Sequence, residues 1–154
     1  MSNLCILGVD PGLTGALAFY FAGHDRISAE DMPVVAGDID AATLAARLAQ
    51  MKPDLAIVEC VGAMPGQGVS STFKFGCGYG IVRGVIAASG IPMRLVSPAK
   101  WKRSYGLDAD KEKSRAIALR LWPSRTDLFS RKKDHGRAEA ALIARYGAEK
   151  FVDA

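Results

Sequence analysis

Five residues of this chain have the types and the spacing for chemistry on a phosphate ester: Asp10, Glu59, Asp134, His135 and Glu139. Asp10 ends the apolar run Leu-Cys-Ile-Leu-Gly-Val and precedes Pro11-Gly12, so it stands where a buried strand breaks into a turn. Glu59 closes a second apolar run, Leu55 to Val58, which belongs beside the first. Singly, either acid reads as well as a turn or strand-end residue. Together, two carboxylates at the same end of neighbouring strands repel one another unless a cation lies between them. Glu139 opens the apolar face of a final helix, because Ala140, Ala141, Leu142 and Ile143 follow it. His135 precedes it by four residues and shares its face, and Asp134 stands at the helix cap. Oxygen donors of this kind suit Mg²⁺ or Mn²⁺. Two such ions ~3.5–4 Å apart are the arrangement for in-line phosphodiester hydrolysis.

The elements that must position these residues follow from period and punctuation. Residues 4–9, 15–21 and 26–32 read as three strands, the first two joined by a Gly-rich turn. Leu44, Leu48 and Met51 mark a helix capped by Asp40. After the strand at residues 55–58 come a Gly/Ser/Pro-rich loop at 62–72 and a Gly-interrupted helix from Phe73 to Ala88. A strand at 92–96 and a short helix from Ser97-Pro98 to Tyr105 precede a helix from Asp110 to Leu121. A polar loop at 123–133 leads to the last helix, capped by Asp134 and stopped near Gly147. The order is that of an α/β fold with a mixed five-stranded sheet, three antiparallel strands followed by parallel ones, and helices on both faces. A length of 154 residues fits one domain, 1–154.

Composition narrows the partners. The chain is 49% hydrophobic, enough for a core, and no run approaches the ~20 apolar residues of a membrane span. The start lacks a secretory pattern, and Cys5, Cys60 and Cys77 lack metal-ligand spacing, so they read as reduced core thiols of a cytosolic protein. Residues 1–93 carry a net charge of −3, residues 94–137 of +8, and the tail of −1. A basic segment on an otherwise acidic chain points to a polyanion.

Four motifs in order resemble the RuvC-type Holliday junction resolvases: Ile6-Leu7-Gly8-Val9-Asp10-Pro11-Gly12-Leu13-Thr14-Gly15; Ala56-Ile57-Val58-Glu59; the basic blocks Ser97 to Lys102 and Asp110 to Lys113; and Lys132 to Ala140. The closing motif is most similar to that of phage-type and chloroplast-type members. The resemblance implies a ribonuclease H-like fold, a homodimer, Mg²⁺ with Mn²⁺ as substitute, two ions per site, and paired nicks across a four-way DNA junction. It implies no membrane and no nucleotide cofactor, and a place in the cytoplasm, an organelle matrix or a virus-infected host's cytoplasm. In the common bacterial pattern the two helix acids lie three residues apart, and here that position is Gly136. Charge favours Asp134 as the fourth metal ligand, because Mg²⁺ prefers oxygen, and helix geometry favours His135; Asp134 is preferred. Met64 and Gln67, in the loop after Glu59, are candidate DNA contacts, as are Lys74, Lys100, Lys102, Lys111, Lys113, Lys132, Lys133 and Arg137. Phe73 and Phe75 read as packing residues or base-stacking platforms.

Three other classes compete. Asp10-Pro-Gly-Leu-Thr14 passably fits the phosphate turn of sugar kinases and actin, but those proteins use two such domains and 154 residues supply one. A ribonuclease H-like nuclease for another branched DNA or RNA substrate is nearer. A junction-binding module without catalysis is disfavoured by the intact acids.

Overall fold

Strand β1 (Cys5–Asp10) is buried on both faces, which is why its sequence is continuously apolar. Its side chains alternate: Ile6 belongs to one core, Leu7 and Val9 to the other. The computed structural model describes residues 3–152, so the first two and last two residues of the expected 1–154 domain lie outside the described residues. β1 pairs antiparallel with β2 (Ala16–Phe21), and β2 with β3 (Arg26–Asp31). A short ribbon of β4 (Val34–Val35) and β5 (Asp38–Ile39) follows. On its other side β1 runs parallel to β6 (Leu55–Glu59), which runs parallel to β7 (Met93–Val96). The sheet order is β3-β2-β1-β6-β7, the mixed five-stranded sheet expected from the sequence.

Helices α1 (Ala41–Met51) and α2 (Val69–Ala88) cover one face through Leu44, Leu48, Val82 and Ile86. The other face carries α3 (Pro98–Ser104), α4 (Lys111–Leu121), α5 (Thr126–Phe129) and α6 (His135–Phe151), with α6 lying across β1, β2, β3 and β6. Asp40, Ser97 and Asp110 cap α1, α3 and α4 by accepting from backbone N–H groups, as serine and aspartate do at these positions. No helix among the described residues is long and apolar enough to cross a membrane.

Several boundaries differ from the sequence expectation. α2 begins at Val69, because the Ser-Ser-Thr stretch read as loop forms its solvent-facing first turn. The β4–β5 ribbon was not expected; Ala36 and Gly37 both take positive φ at its tip, the turn that two-residue hairpins need. The supposedly polar loop 123–133 contains α5, whose Leu128 and Phe129 are buried. α6 does not stop at Gly147: that glycine is inside the helix, where a Cβ would meet Ile57 Cγ1 at 2.3 Å. It is there for close approach to the sheet, not for a cap. Of the cysteines, Cys5 is buried, whereas Cys60 and Cys77 are exposed, one lying just past the end of β6 and the other on the outer side of α2.

Candidate active site

Strand parity decides which acids meet. Ile6, Gly8 and Asp10 share the face of β1 turned to α6, and Ile57 and Glu59 share the corresponding face of β6. The parallel register Val9↔Val58 sets Asp10 and Glu59 side by side at the strand ends. Gly8 lets α6 approach: a Cβ there would stand 2.2 Å from the Ala140 carbonyl oxygen. Glu139, one residue before that carbonyl, is buried and within hydrogen-bond reach of Asp10. Three carboxylates thus converge from β1, β6 and α6.

Their electrostatics follow from this crowding. Burial, then the negative charges of Glu139 and Glu59, push the Asp10 carboxyl well above the ordinary carboxylate range, against a smaller pull from Lys111. Burial likewise raises Glu59, with Glu139 adding to it, while the Trp101 N–H, Lys102 and Lys111 pull it down. Trp101 Nε1 donates to Glu59 Oε2 at 2.7 Å in a buried setting. Sequence reasoning missed Trp101; no spacing rule links residue 101 to residue 59.

The two helix candidates are treated differently by the fold. Asp134 is buried, but it does not cap α6. It closes the 3-10 turn before the helix: Oδ2 accepts from the Arg131 backbone N at 2.9 Å and Oδ1 from Arg131 Nη2 at 2.8 Å. Arg137 Nη1 stands 3.8 Å from Oδ1. Burial alone would raise its pKa, and the bonds from Arg131 outweigh this and hold it below the usual value. Neither Asp134 nor His135 is among the groups that shift Asp10 and Glu59 most. His135 begins α6 with a buried Nδ1 that has no hydrogen-bond partner among the described residues. The neighbouring Gly136 faces the cluster, for a Cβ on it would lie 3.5 Å from Asp10 Oδ2.

The candidate DNA contacts divide. Lys111, Lys132 and Lys133 line a cavity of about 630 Å³ with His135, Asp110 and Glu112. Lys102 lies close enough to Glu59 to lower its pKa, with its Nζ 5.6 Å from the Trp101 ring centre. Lys100 is exposed on α3. Gln67 and Lys74 line a second cavity, of about 230 Å³, with Leu13, Thr14 and Phe75 beside the β1–β2 turn. Met64 is 69% exposed and Phe73, against the packing expectation, 74% exposed, whereas Phe75 is half-buried. Two cations are already engaged: Lys113 pairs with Asp108, and Arg137 Nε donates to Asp31 Oδ1 at 2.9 Å.

Carboxylates that burial and mutual repulsion hold toward the protonated form are suited to a hard divalent cation, which removes both penalties when it displaces the protons. The donor chemistry therefore fits such an ion, although no group of three or more His, Cys, Asp or Glu among the described residues is set closely enough to hold one as it stands.

Three antiparallel strands continued by parallel ones, with a C-terminal helix laid across them carrying an acid to the strand ends, is the ribonuclease H-like fold in its RuvC form. The chain superposes on Thermus thermophilus RuvC in complex with a Holliday junction substrate with a TM-score of 0.68 at 16% identity, covering 96% of this chain and 97% of that one. A second T. thermophilus RuvC structure gives a TM-score of 0.66 at 18% identity, over 95% and 96% of the two chains. The yeast mitochondrial Holliday junction resolvase Ydc2 gives 0.57 at 14% identity, over 92% and 78%. In sequence, the chain is 32% identical over 89 residues to the chloroplastic Holliday junction resolvase MOC1 of Chlamydomonas reinhardtii. That match covers 56% of this chain and 10% of MOC1, so the chain spans about a tenth of the length of the curated relative it matches. No protein-family model matches the chain.

Proposed function

We propose that this protein is a metal-dependent endodeoxyribonuclease that resolves four-way DNA junctions by paired symmetric nicks, acting as one nuclease domain. The observation that carries the reading is the convergence of Asp10, Glu59 and Glu139 at the open end of a RuvC-type sheet. Asp10, Glu59 and Glu139 would hold Mg²⁺, or Mn²⁺ in its place, with His135 as the fourth donor through its unpartnered Nδ1. Two ions per site would activate water and stabilise the leaving 3′ oxygen. Asp134, which the sequence favoured as that donor, serves here by fixing the turn that presents His135. Lys111, Lys132 and Lys133 supply phosphate contacts beside the acids, and Met64 and Gln67 stand on the loop that follows Glu59. Lys113 and Arg137 contribute to the fold through their ion pairs. The work lies where DNA is recombined, in cytoplasm or an organelle matrix.

The test is cleavage, with Mg²⁺, of a synthetic four-way junction against matched duplex, flap and RNA–DNA hybrid. Selective, symmetric nicking of the junction is expected. Equal or better cutting of a flap or hybrid would move the protein to another ribonuclease H-like activity.

Two symmetric cuts need two sites, hence a homodimer. α2 supplies the face: a Cβ on Gly76, Gly80 or Gly84 meets nothing within 4 Å, and Phe73 is exposed on the same helix. Gly78, by contrast, faces Ile39 of the β4–β5 ribbon within the protein. Gly80→Arg should convert the dimer to a monomer in sedimentation and remove paired nicking, with the melting temperature of the monomer little changed. A wild-type protein that sediments only as monomer, both free and on the junction, would overturn the dimer.

A further inference from the structure

We propose that Trp101 is a positioning residue for Glu59: its indole N–H pins one carboxylate oxygen and leaves the other to a divalent cation. The inference rests on the metal-dependent reading of the site. Its physical basis is a buried side chain whose only polar atom is spent on an acid at the strand ends. Trp101 is fully buried in the core beneath α6, and Nε1 donates to Glu59 Oε2 at 2.7 Å.

The surroundings hold this contact rigidly. Cys60 N donates to the Val96 carbonyl at 2.8 Å, fastening the end of β6 to the end of β7. Ser97 then caps α3, so the helix that carries Trp101 starts immediately beside Glu59. A large ring packed in a core has no freedom to follow a moving carboxylate, so the hydrogen bond fixes the carboxylate instead. Such outer partners orient metal-binding oxygens, and their loss typically costs about 10–100-fold in metal affinity or activity.

The chain carries its own control. It has two tryptophans, and the other, Trp122, is equally buried, but its Nε1 has no hydrogen-bond partner among the described residues. Trp101→Phe and Trp122→Phe therefore remove the same group from two places in one core, only one of which touches the site.

The experiment measures Mn²⁺ binding to the full-length chain by calorimetry, with junction cleavage alongside. Trp101→Phe should weaken Mn²⁺ binding about 10–100-fold and shift the Mn²⁺ dependence of cleavage to higher concentration, with the rate largely recovered at saturation. Trp122→Phe should bind Mn²⁺ as the wild type does. Unchanged Mn²⁺ affinity in Trp101→Phe overturns the proposal. If Trp101→Phe does not fold, Trp122→Phe leaves Trp101 as the sole indole, and its emission should be quenched saturably by Mn²⁺ unless Glu59→Gln is added. No saturable quenching, or quenching indifferent to Glu59→Gln, overturns it equally. A wild type that neither binds Mn²⁺ nor cleaves removes the nuclease reading, and this inference with it.

Discussion

Asp10→Asn and Glu59→Gln should each abolish the proposed junction cleavage, by more than the ~10–100-fold typical of an outer-shell change, while binding of the junction without metal should be unchanged or tighter. Each variant keeps the shape of the side chain and removes the charge on which a hard cation depends. Losing a negative charge cannot weaken attraction to DNA phosphates. A second effect has the opposite sign. Asp10 is raised by burial, Glu139 and Glu59. Below its ordinary value of 3.8 it is protonated whether the chain is folded or not. As pH rises from there toward the raised folded value, the unfolded chain ionises first and binds fewer protons, so metal-free stability falls. Asp10→Asn lacks this penalty and should melt higher than the wild type in chelator at neutral pH, with the difference vanishing toward pH 4. An inactive variant that is also more stable marks an acid kept for function. Cleavage near the wild-type rate, or a lower melting temperature in chelator, contradicts the crowded-acid site.

His135→Ala and Asp134→Asn should fail in different ways. His135 has a buried nitrogen without a partner among the described residues, so its loss should weaken metal binding and cleavage while the melting temperature hardly moves. Asp134 has its partners already. Its replacement removes charge from a buried carboxylate held by Arg131, a loss of about 1–3 kcal/mol, toward the low end because the Arg131 side chain is 50% exposed. Because the folded pKa of Asp134 is lowered, its contribution is present above pH 3.8 and lost as pH falls through the lowered value. Asp134→Asn should accordingly lower stability at pH 7 and keep part of the activity at a temperature where it is folded. Complete loss of activity in both Mg²⁺ and Mn²⁺ by a folded Asp134→Asn, with His135→Ala still active, would return the ligand role to Asp134.

The acids from the sheet were legible because parity and strand ends are local properties. An apolar run that stops at an acid announces where that acid must stand, and Asp10 and Glu59 needed no more. Glu139 was legible through the apolar residues that follow it. Asp134 was not, because the cap rule assigns a carboxylate before a helix to that helix, and here a 3-10 turn and Arg131 intervene. For Arg137 and Lys113 the sequence shows charge alone: their engagement with Asp31 and Asp108 is a tertiary fact. Gly147 has the residue type of a helix stop, and only the nearness of Ile57 explains it as a point of contact. Nothing in the sequence singles out Trp101, which is a core residue apart from one nitrogen.

The contact between Gly8 and α6 also makes the site depend on segments far apart in the chain. Asp10 lies on a strand that pairs with its immediate neighbour in sequence, whereas Glu139 and His135 arrive with the last helix of the described chain. Local pairings close at little entropic expense, and contacts between distant segments form late. The sheet can therefore exist before its acids are complete. A partly folded or nascent chain lacks the helix donors, and so does a molecule in which α6 has transiently lifted away. If the protein is the proposed nuclease, this arrangement would tie cutting to the fully docked fold and leave incomplete copies silent.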